Sequence, residues 1–283
     1  MRNFPGFEDG VEINSKKALT LGDLFEQCLI LGQQQKIRAR WSLMLDYPMP
    51  NNIEMGLLEC IENYEKYSEV IQSSNVLVNI DSDIPPWIVY LLICNAYEHG
   101  DVRLIREHVE FGQKSIVIGG GIGIIATALA QVSRRSVTVI EANPFLLNRL
   151  SHTARLNDVN FQIVYGAVKA GVRQGITKFH ISKEFWASSL RKDTWQSTSS
   201  IDVPVVDLGP LLMDDYDVAF FDIEGEEAEI FDAIKLPQRL STVFVEIHKP
   251  IIGEKTGAKV MNKLWKQGYR LIDSDALTYC WKR

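Results

Sequence analysis

The stretch SIVIGGGIGIIATALA, residues 115–130, decides the fold. Ser115 to Ile118 is an apolar run of strand length, the glycines at 119, 120, 121 and 123 make a sharp turn, and Ile124 to Ala130 reads as helix. A strand, a bare turn and a helix in that order let a ligand touch backbone at the positive end of a helix. Outward from this stretch, short β-branched runs alternate with helical segments. The runs before residue 167 are Val137–Glu141, Pro144–Leu156 and Phe161–Tyr165. Those after it are Val218–Phe221, Ala228–Ile234, Thr242–Ile247, Ala258–Gln267, Tyr269–Ile272 and Leu277–Trp281. Such alternation specifies an α/β, Rossmann-like architecture, a parallel sheet with helices on its faces. Asp273 to Ala276 separate the last two runs at hairpin length, so the sheet is expected to end in an antiparallel strand.

The pattern is different elsewhere. From Leu19 to about Tyr67 apolar residues recur at helical spacing, broken at Pro48, Pro50, Asn51 and Asn52, which predicts a mainly helical N-terminal lobe over residues 1–90. Val76–Ile80 and Trp87–Tyr97 read as a strand and a helix about a turn at Asp81–Pro86. The α/β domain then occupies 91–283. Within it the pattern loosens from Ala167 to Val206, where Gly171, Gly175 and the Ser/Thr-rich Thr194–Ser200 predict a hairpin-like insertion near the active site.

Composition excludes several classes of function. With 283 residues, 46% of them hydrophobic, the chain fills a sizeable core without disulfide staples. Lysine and arginine number 30 against 36 acids, a net charge of -6 with no long run of one sign, which argues against nucleic acid as the main partner. Cys28, Cys60, Cys94 and Cys280 form no Cys-x-x-Cys pair and suit a reducing compartment. Met1 to Gly10 lacks the apolar core of a signal peptide, so a cytoplasmic location is expected. Ile84–Ala96 is too short, and too rich in proline, to span a membrane.

The turn also identifies a cofactor class. A dinucleotide fingerprint starting at Gly119 and Gly121 requires a small residue at 124, where Ile124 stands. The spacing of Gly119, Gly121 and Gly123 instead fits G-x-G-x-G, the turn used for S-adenosylmethionine. The next strand ends in Glu141, about 20 residues beyond the turn, where a carboxylate accepts hydrogen bonds from ribose hydroxyls. Ala142, Asn143 and Ala167 complete the expected cofactor contacts. A nicotinamide-dependent dehydrogenase is the alternative on the same strand, turn and acid.

Further motifs carry a resemblance. Tyr97-Glu98 precedes the sheet; VIEANP occupies Val139–Pro144, FWASSL Phe185–Leu190, FFDIEGEE Phe220–Glu227 and VEIH Val245–His248. On these, with the GGGIG turn, the chain from about Tyr97 to Trp281 resembles the FkbM family of methyltransferases. The resemblance implies a class I methyltransferase fold with a seven-stranded sheet, and methyl transfer to a hydroxyl of a sugar or other small natural-product scaffold. Val117 departs from the pattern, because many class I enzymes carry an acid two positions before the first turn glycine. Glu98 is expected to take over its contact with the methionyl ammonium, although a solvated charge is an equal reading of that residue.

Methylating an oxygen requires removing its proton, so a carboxylate or imidazole must lie within reach of it. Asp222, after the strand Val218–Phe221, Glu224 just beyond, and His248, after Thr242–Ile247, qualify by position as catalytic residues. Simpler readings stand beside these: Glu224 and Glu227 also complement the dipole of a helix starting near Glu226, and a histidine at a strand end can be an ordinary loop residue. A divalent metal on Asp222, Glu246 and His248 is considered but not favoured. Trp186, beside Ser188 and Ser189, is expected to wall the acceptor site. A nucleic-acid amino-methyltransferase is disfavoured because Asp222-Ile223-Glu224-Gly225 replaces the Asn/Asp-Pro-Pro-Tyr/Phe signature. The alternative from another class is a non-catalytic binding or scaffolding protein on the same fold.

Overall fold

Runs such as Ser115–Ile118, Val218–Phe221 and Thr242–Val245 have no exposed alternate position, so strands built from them must be covered on both faces. The computed structural model describes residues 68–81, 83–93, 95–169, 171–182, 188–190 and 197–283. The chain divides into two units, residues 1–99 and 100–283.

In the first unit, β1 (Ser68–Ser73) and β2 (Val76–Asp81) form an antiparallel hairpin, followed by α1 (Pro86–Ile93). Ser74 and Asn75 both take positive φ, 49° and 61°, as the central pair of a two-residue hairpin turn demands. Val76, Val78 and Ile80 are buried while Leu77 is exposed, the alternation of a strand with one covered face. The helical reading of Leu19–Tyr67 lies outside the described residues.

The second unit runs from α2 (His99–His108) through β3 (Ser115–Ile118), α3 (Ile124–Ser133), β4 (Val137–Glu141), α4 (Leu147–Leu156) and β5 (Phe161–Tyr165). After an insertion come β9 (Val218–Phe221), α6 (Glu227–Ala233), β10 (Thr242–Glu246), α7 (Lys249–Ile252), α8 (Glu254–Lys266), β11 (Arg270–Asp275) and β12 (Thr278–Lys282). The insertion holds β6 (Ala167–Val168), β7 (Ile176–Ser182), β8 (Ser197–Val206) and the short α5 (Leu208–Leu212).

Seven strands form one sheet in the order β11, β12, β10, β9, β3, β4, β5. The five from β10 to β5 are parallel, and β12 pairs antiparallel with both β10 and β11. This is the Rossmann-like class I methyltransferase fold, with its C-terminal antiparallel strand. Ile116, Ile118, Ala219, Phe221, Val243 and Val245 face one core, closed by Phe231 of α6 and by Val260 and Leu264 of α8. Each large side chain buried there contributes roughly 1.5–3 kcal/mol. On the alternate positions Phe220 and Phe244, paired across β9 and β10, stack at 5.7 Å.

The insertion is a three-stranded sheet in which β7 and β8 form the antiparallel hairpin and β6 pairs parallel with β8, around Ala167, Phe179 and Val203. One boundary differs from the sequence reading. The β11–β12 turn is Ala276–Leu277, and Asp273 to Asp275 belong to the strand, after an irregularity between Leu271 and Asp273. The polar run is an edge-strand signature, because α2 answers its charges: Arg103 Nη1 donates to Asp273 at 3.0 Å, Arg103 Nε to Asp275 at 3.2 Å, and His108 Nε2 lies 3.0 Å from Asp273. Among the described residues no helix is long and apolar enough to cross a membrane.

Register places the site. Ile118 lies opposite both Ile140 and Phe221, and Phe221 opposite Val245. The residues that follow, Gly119, Glu141, Asp222 and Glu246, therefore emerge together at the carboxyl edge. Strand order reverses there between β3 and β9, the position where open α/β sheets bind ligands.

Candidate active site

The glycine turn is built for close approach. Gly119, Gly121 and Gly123 take φ of 93°, 52° and 94°. A Cβ on Gly119 would stand 1.7 Å from the Asp222 carbonyl oxygen, so only glycine allows the ends of β3 and β9 to meet. Thr153 of α4 donates its hydroxyl to the Ile122 carbonyl at 2.8 Å, and no side chain caps the start of α3.

Glu141, buried at the end of β4, holds this turn. Its Oε2 accepts from the N–H groups of Gly120 at 2.9 Å and Gly121 at 3.0 Å, and its Oε1 accepts from Asn143 at 2.6 Å. The Ala142 N–H faces the same carboxylate. A carboxylate offers about four lone-pair positions, so most of this one is committed to backbone. Burial raises its pKa despite those donors. Asn143 is also buried, its side chain accepting from the Phe145 N–H at 3.1 Å. Ala167 is buried in the core of the insertion, with Ala142 packed against it.

The ends of β9 and β10 build a different structure. Asp222 donates its backbone N–H to the Ile118 carbonyl at 2.9 Å, and the chain then turns through Glu224 (φ 50°) and Gly225 (φ 105°). Ser189 of the insertion pins that turn, donating its hydroxyl to the Glu224 carbonyl at 2.8 Å. His248, fully buried, sits at its centre. The ring Nδ1 is 2.6 Å from Glu227 Oε1, which also accepts the Gly225 N–H at 3.1 Å. The other ring nitrogen, Nε2, lies 3.3 Å from Glu224 Oε2, 3.7 Å from Asp222 Oδ1 and 3.7 Å from Glu246 Oε1. Asp222 Oδ1, Glu224 Oε2 and His248 Nε2 are buried and make no hydrogen bond.

Crowding of acids around one imidazole sets the protonation of the group. Burial raises the Asp222 carboxyl well above the usual range and the nearby Glu224 raises it further. Glu246 is raised well above it by burial and by Asp222. Burial alone would lower the His248 imidazole, but Glu224 and Glu246 outweigh it and hold the pKa well above the ordinary value. Asp101 of α2 belongs to the same field: burial pushes it up to about 6, against a hydrogen bond from Thr278.

The structure thus brings Asp222, Glu224 and His248 together, and separately joins Glu141 to the glycine turn. Glu98 belongs to the first unit, where it is partly buried with φ 52°. Trp186 lies outside the described residues. Sequence reasoning took Glu227 for a helix-dipole complement, yet it is fully buried against His248. Asp101 had no signal at all, since only the fold carries α2 to the β12 strand.

Comparison with known proteins adds a family match. A family model described as the methyltransferase FkbM domain matches residues 118–271, more than half of the chain. Solved structures similar to it include a precorrin-6y C5,15-methyltransferase from Geobacter metallireducens, at 14% identity, covering 65% of this chain and 85% of that one, with a TM-score of 0.40. TYW2 from M. jannaschii, in complex with AdoMet, matches at 14% identity, 77% and 88% coverage and a TM-score of 0.38. A SAM-dependent methyltransferase assignment from Streptococcus mutans matches at 9% identity, 76% and 55% coverage and a TM-score of 0.44. No curated protein matches the chain.

Proposed function

Because the chain belongs to the FkbM methyltransferase family, we propose that it moves a methyl group from S-adenosylmethionine to a hydroxyl of a sugar or other small hydroxylated molecule. The observation that carries this reading is the adjacency of two sites on one sheet edge: Gly119 packs directly on the Asp222 carbonyl, so the glycine turn and the acid cluster share a border.

The residues present fit the cofactor. Three glycines with positive φ and an uncapped helix start offer bare backbone to a nucleoside, and Glu141 Oε1, with one short bond from Asn143, retains capacity to accept a ribose hydroxyl. When bound, S-adenosylmethionine supplies an electrophilic methyl on sulfur. This chain's own part is to orient the acceptor oxygen and take its proton. Asp222 and Glu224 have the unpaired oxygens for that task, and the raised pKa of Asp222 strengthens it as a base. His248, anchored through Nδ1 by Glu227, shares the proton with them. The acid balance of the chain and the Asp-Ile-Glu-Gly turn support a small acceptor over a nucleic acid.

Isothermal titration with S-adenosylhomocysteine, followed by incubation of a panel of hydroxylated acceptors with methyl-labelled cofactor, tests the reading. It requires saturable binding and label on oxygen. A folded protein that binds no S-adenosylhomocysteine would instead be a non-catalytic member of the family.

A further inference from the structure

We propose that Asp222, Glu224 and His248 form a binding site for a divalent first-row transition cation, with Glu246 facing the same point. This stands on the donor set and does not depend on the methyl-transfer reading.

Three donor atoms, Asp222 Oδ1, Glu224 Oε2 and His248 Nε2, lie within 4.8 Å of one another. A cation with ligands at about 2.0–2.2 Å places neighbouring donors roughly 3–4 Å apart, and the 3.3 and 3.7 Å separations from Nε2 fall in that range. Each of the three atoms is buried without a hydrogen bond. Buried polar atoms are ordinarily paired, and orphaning three at one point carries a large penalty unless something bridges them.

The far side of the imidazole is arranged as metal ligands require. His248 Nδ1 lies 2.6 Å from Glu227 Oε1, so the neutral ring that a cation would bind keeps its proton on Nδ1 and directs the Nε2 lone pair at the cluster. Glu227 is in turn fixed by the Gly225 N–H, and Ser189 fixes the Glu224 turn, so both ligand-bearing segments are braced from behind. The excess of carboxylates around one imidazole would be neutralised by a dication. A set of two or three carboxylate oxygens with one imidazole favours manganese, iron, cobalt or zinc over calcium.

A second grouping, Glu107, His108 and Asp273, has similar spacing but a different state. Arg103 already bonds Glu107 at 2.5 Å and Asp273 at 3.0 Å, so a cation's place there is taken by a guanidinium. That contrast supplies the control.

Divalent manganese titrated into chelator-treated protein, followed by electron paramagnetic resonance and by melting temperature, reads binding without any acceptor or cofactor. The wild type should bind one equivalent and melt at higher temperature with the ion. Glu224→Gln and Asp222→Asn, which conserve shape, should each weaken binding about 10-fold or more, while Asp273→Asn leaves it unchanged. Absence of saturable binding to the folded wild type at millimolar manganese would overturn the proposal. So would binding that survives in both Glu224→Gln and Asp222→Asn.

Discussion

Glu141 and Glu224 are both acids buried at the carboxyl edge of one sheet, on either side of β3, but their oxygens are treated differently. Glu141 accepts three backbone N–H groups, and most of its accepting capacity goes into holding the glycine turn. Glu224 leaves Oε2 unpaired, beside the unpaired Asp222 Oδ1 and His248 Nε2. A buried carboxylate that is hydrogen-bonded by backbone stabilises a conformation, whereas one left short of partners costs stability and is kept for a ligand or a proton. On the function proposed above, the two halves of the site divide the work: one is a scaffold for the cofactor turn, the other a reactive reserve.

Four substitutions bear on that division, in descending order of effect on stability. Gly119→Ala strikes the border itself, because the new methyl would collide with the Asp222 carbonyl at positive φ. It should cost more than about 4 kcal/mol and prevent a native melting transition in circular dichroism. Glu141→Ala strands three N–H donors and should cost about 3 kcal/mol in urea unfolding; a loss confined to cofactor affinity would show that the carboxylate is not structural. Glu224→Gln removes one of several crowded acids, so the unfolding midpoint should stay level or rise by the equivalent of about 1 kcal/mol. Turnover of a verified acceptor by this variant should nevertheless fall about 10²–10⁴-fold.

The smallest effect lies away from both halves. His108 and Arg103 hold the Asp273 carboxyl well below the usual carboxylate range. A lowered native pKa means that the stabilisation is complete above the unfolded value near 4 and is lost as pH falls through the native value. Asp273→Asn should therefore lower the melting temperature slightly at about pH 7, and that difference should shrink steadily as pH falls below the unfolded carboxylate value near 4.

Much of the scaffold was legible in the sequence, and so were Asp222, Glu224 and His248 of the reserve, but not the groups that hold and surround them. β3, β9 and β10 are apolar on both faces, a pattern that only a covered parallel sheet explains, and the glycines follow β3 directly. The position of Glu141 followed from strand length, but not its bonding, since its donors converge only once the turn folds. Glu227 looked like a dipole complement because its sequence neighbours are helical; its actual partner, His248, belongs to the next strand's end. Local polarity cannot distinguish a loop from an edge strand whose charges Arg103 answers, and for that reason the Asp273–Asp275 run reads as a turn in the sequence although it belongs to β11.

The division of labour is tested most directly by calorimetric titration of S-adenosylhomocysteine into the wild type, Glu141→Gln and Glu224→Gln, with folding of each checked by its melting transition. An amide at 141 faces the Asn143 N–H with a donor or loses the pair of N–H groups from the turn, so Glu141→Gln should weaken binding about 10-fold or more, whereas Glu224→Gln should stay within about 2-fold of the wild type. Retained affinity in a folded Glu141→Gln together with lost affinity in Glu224→Gln would contradict the account.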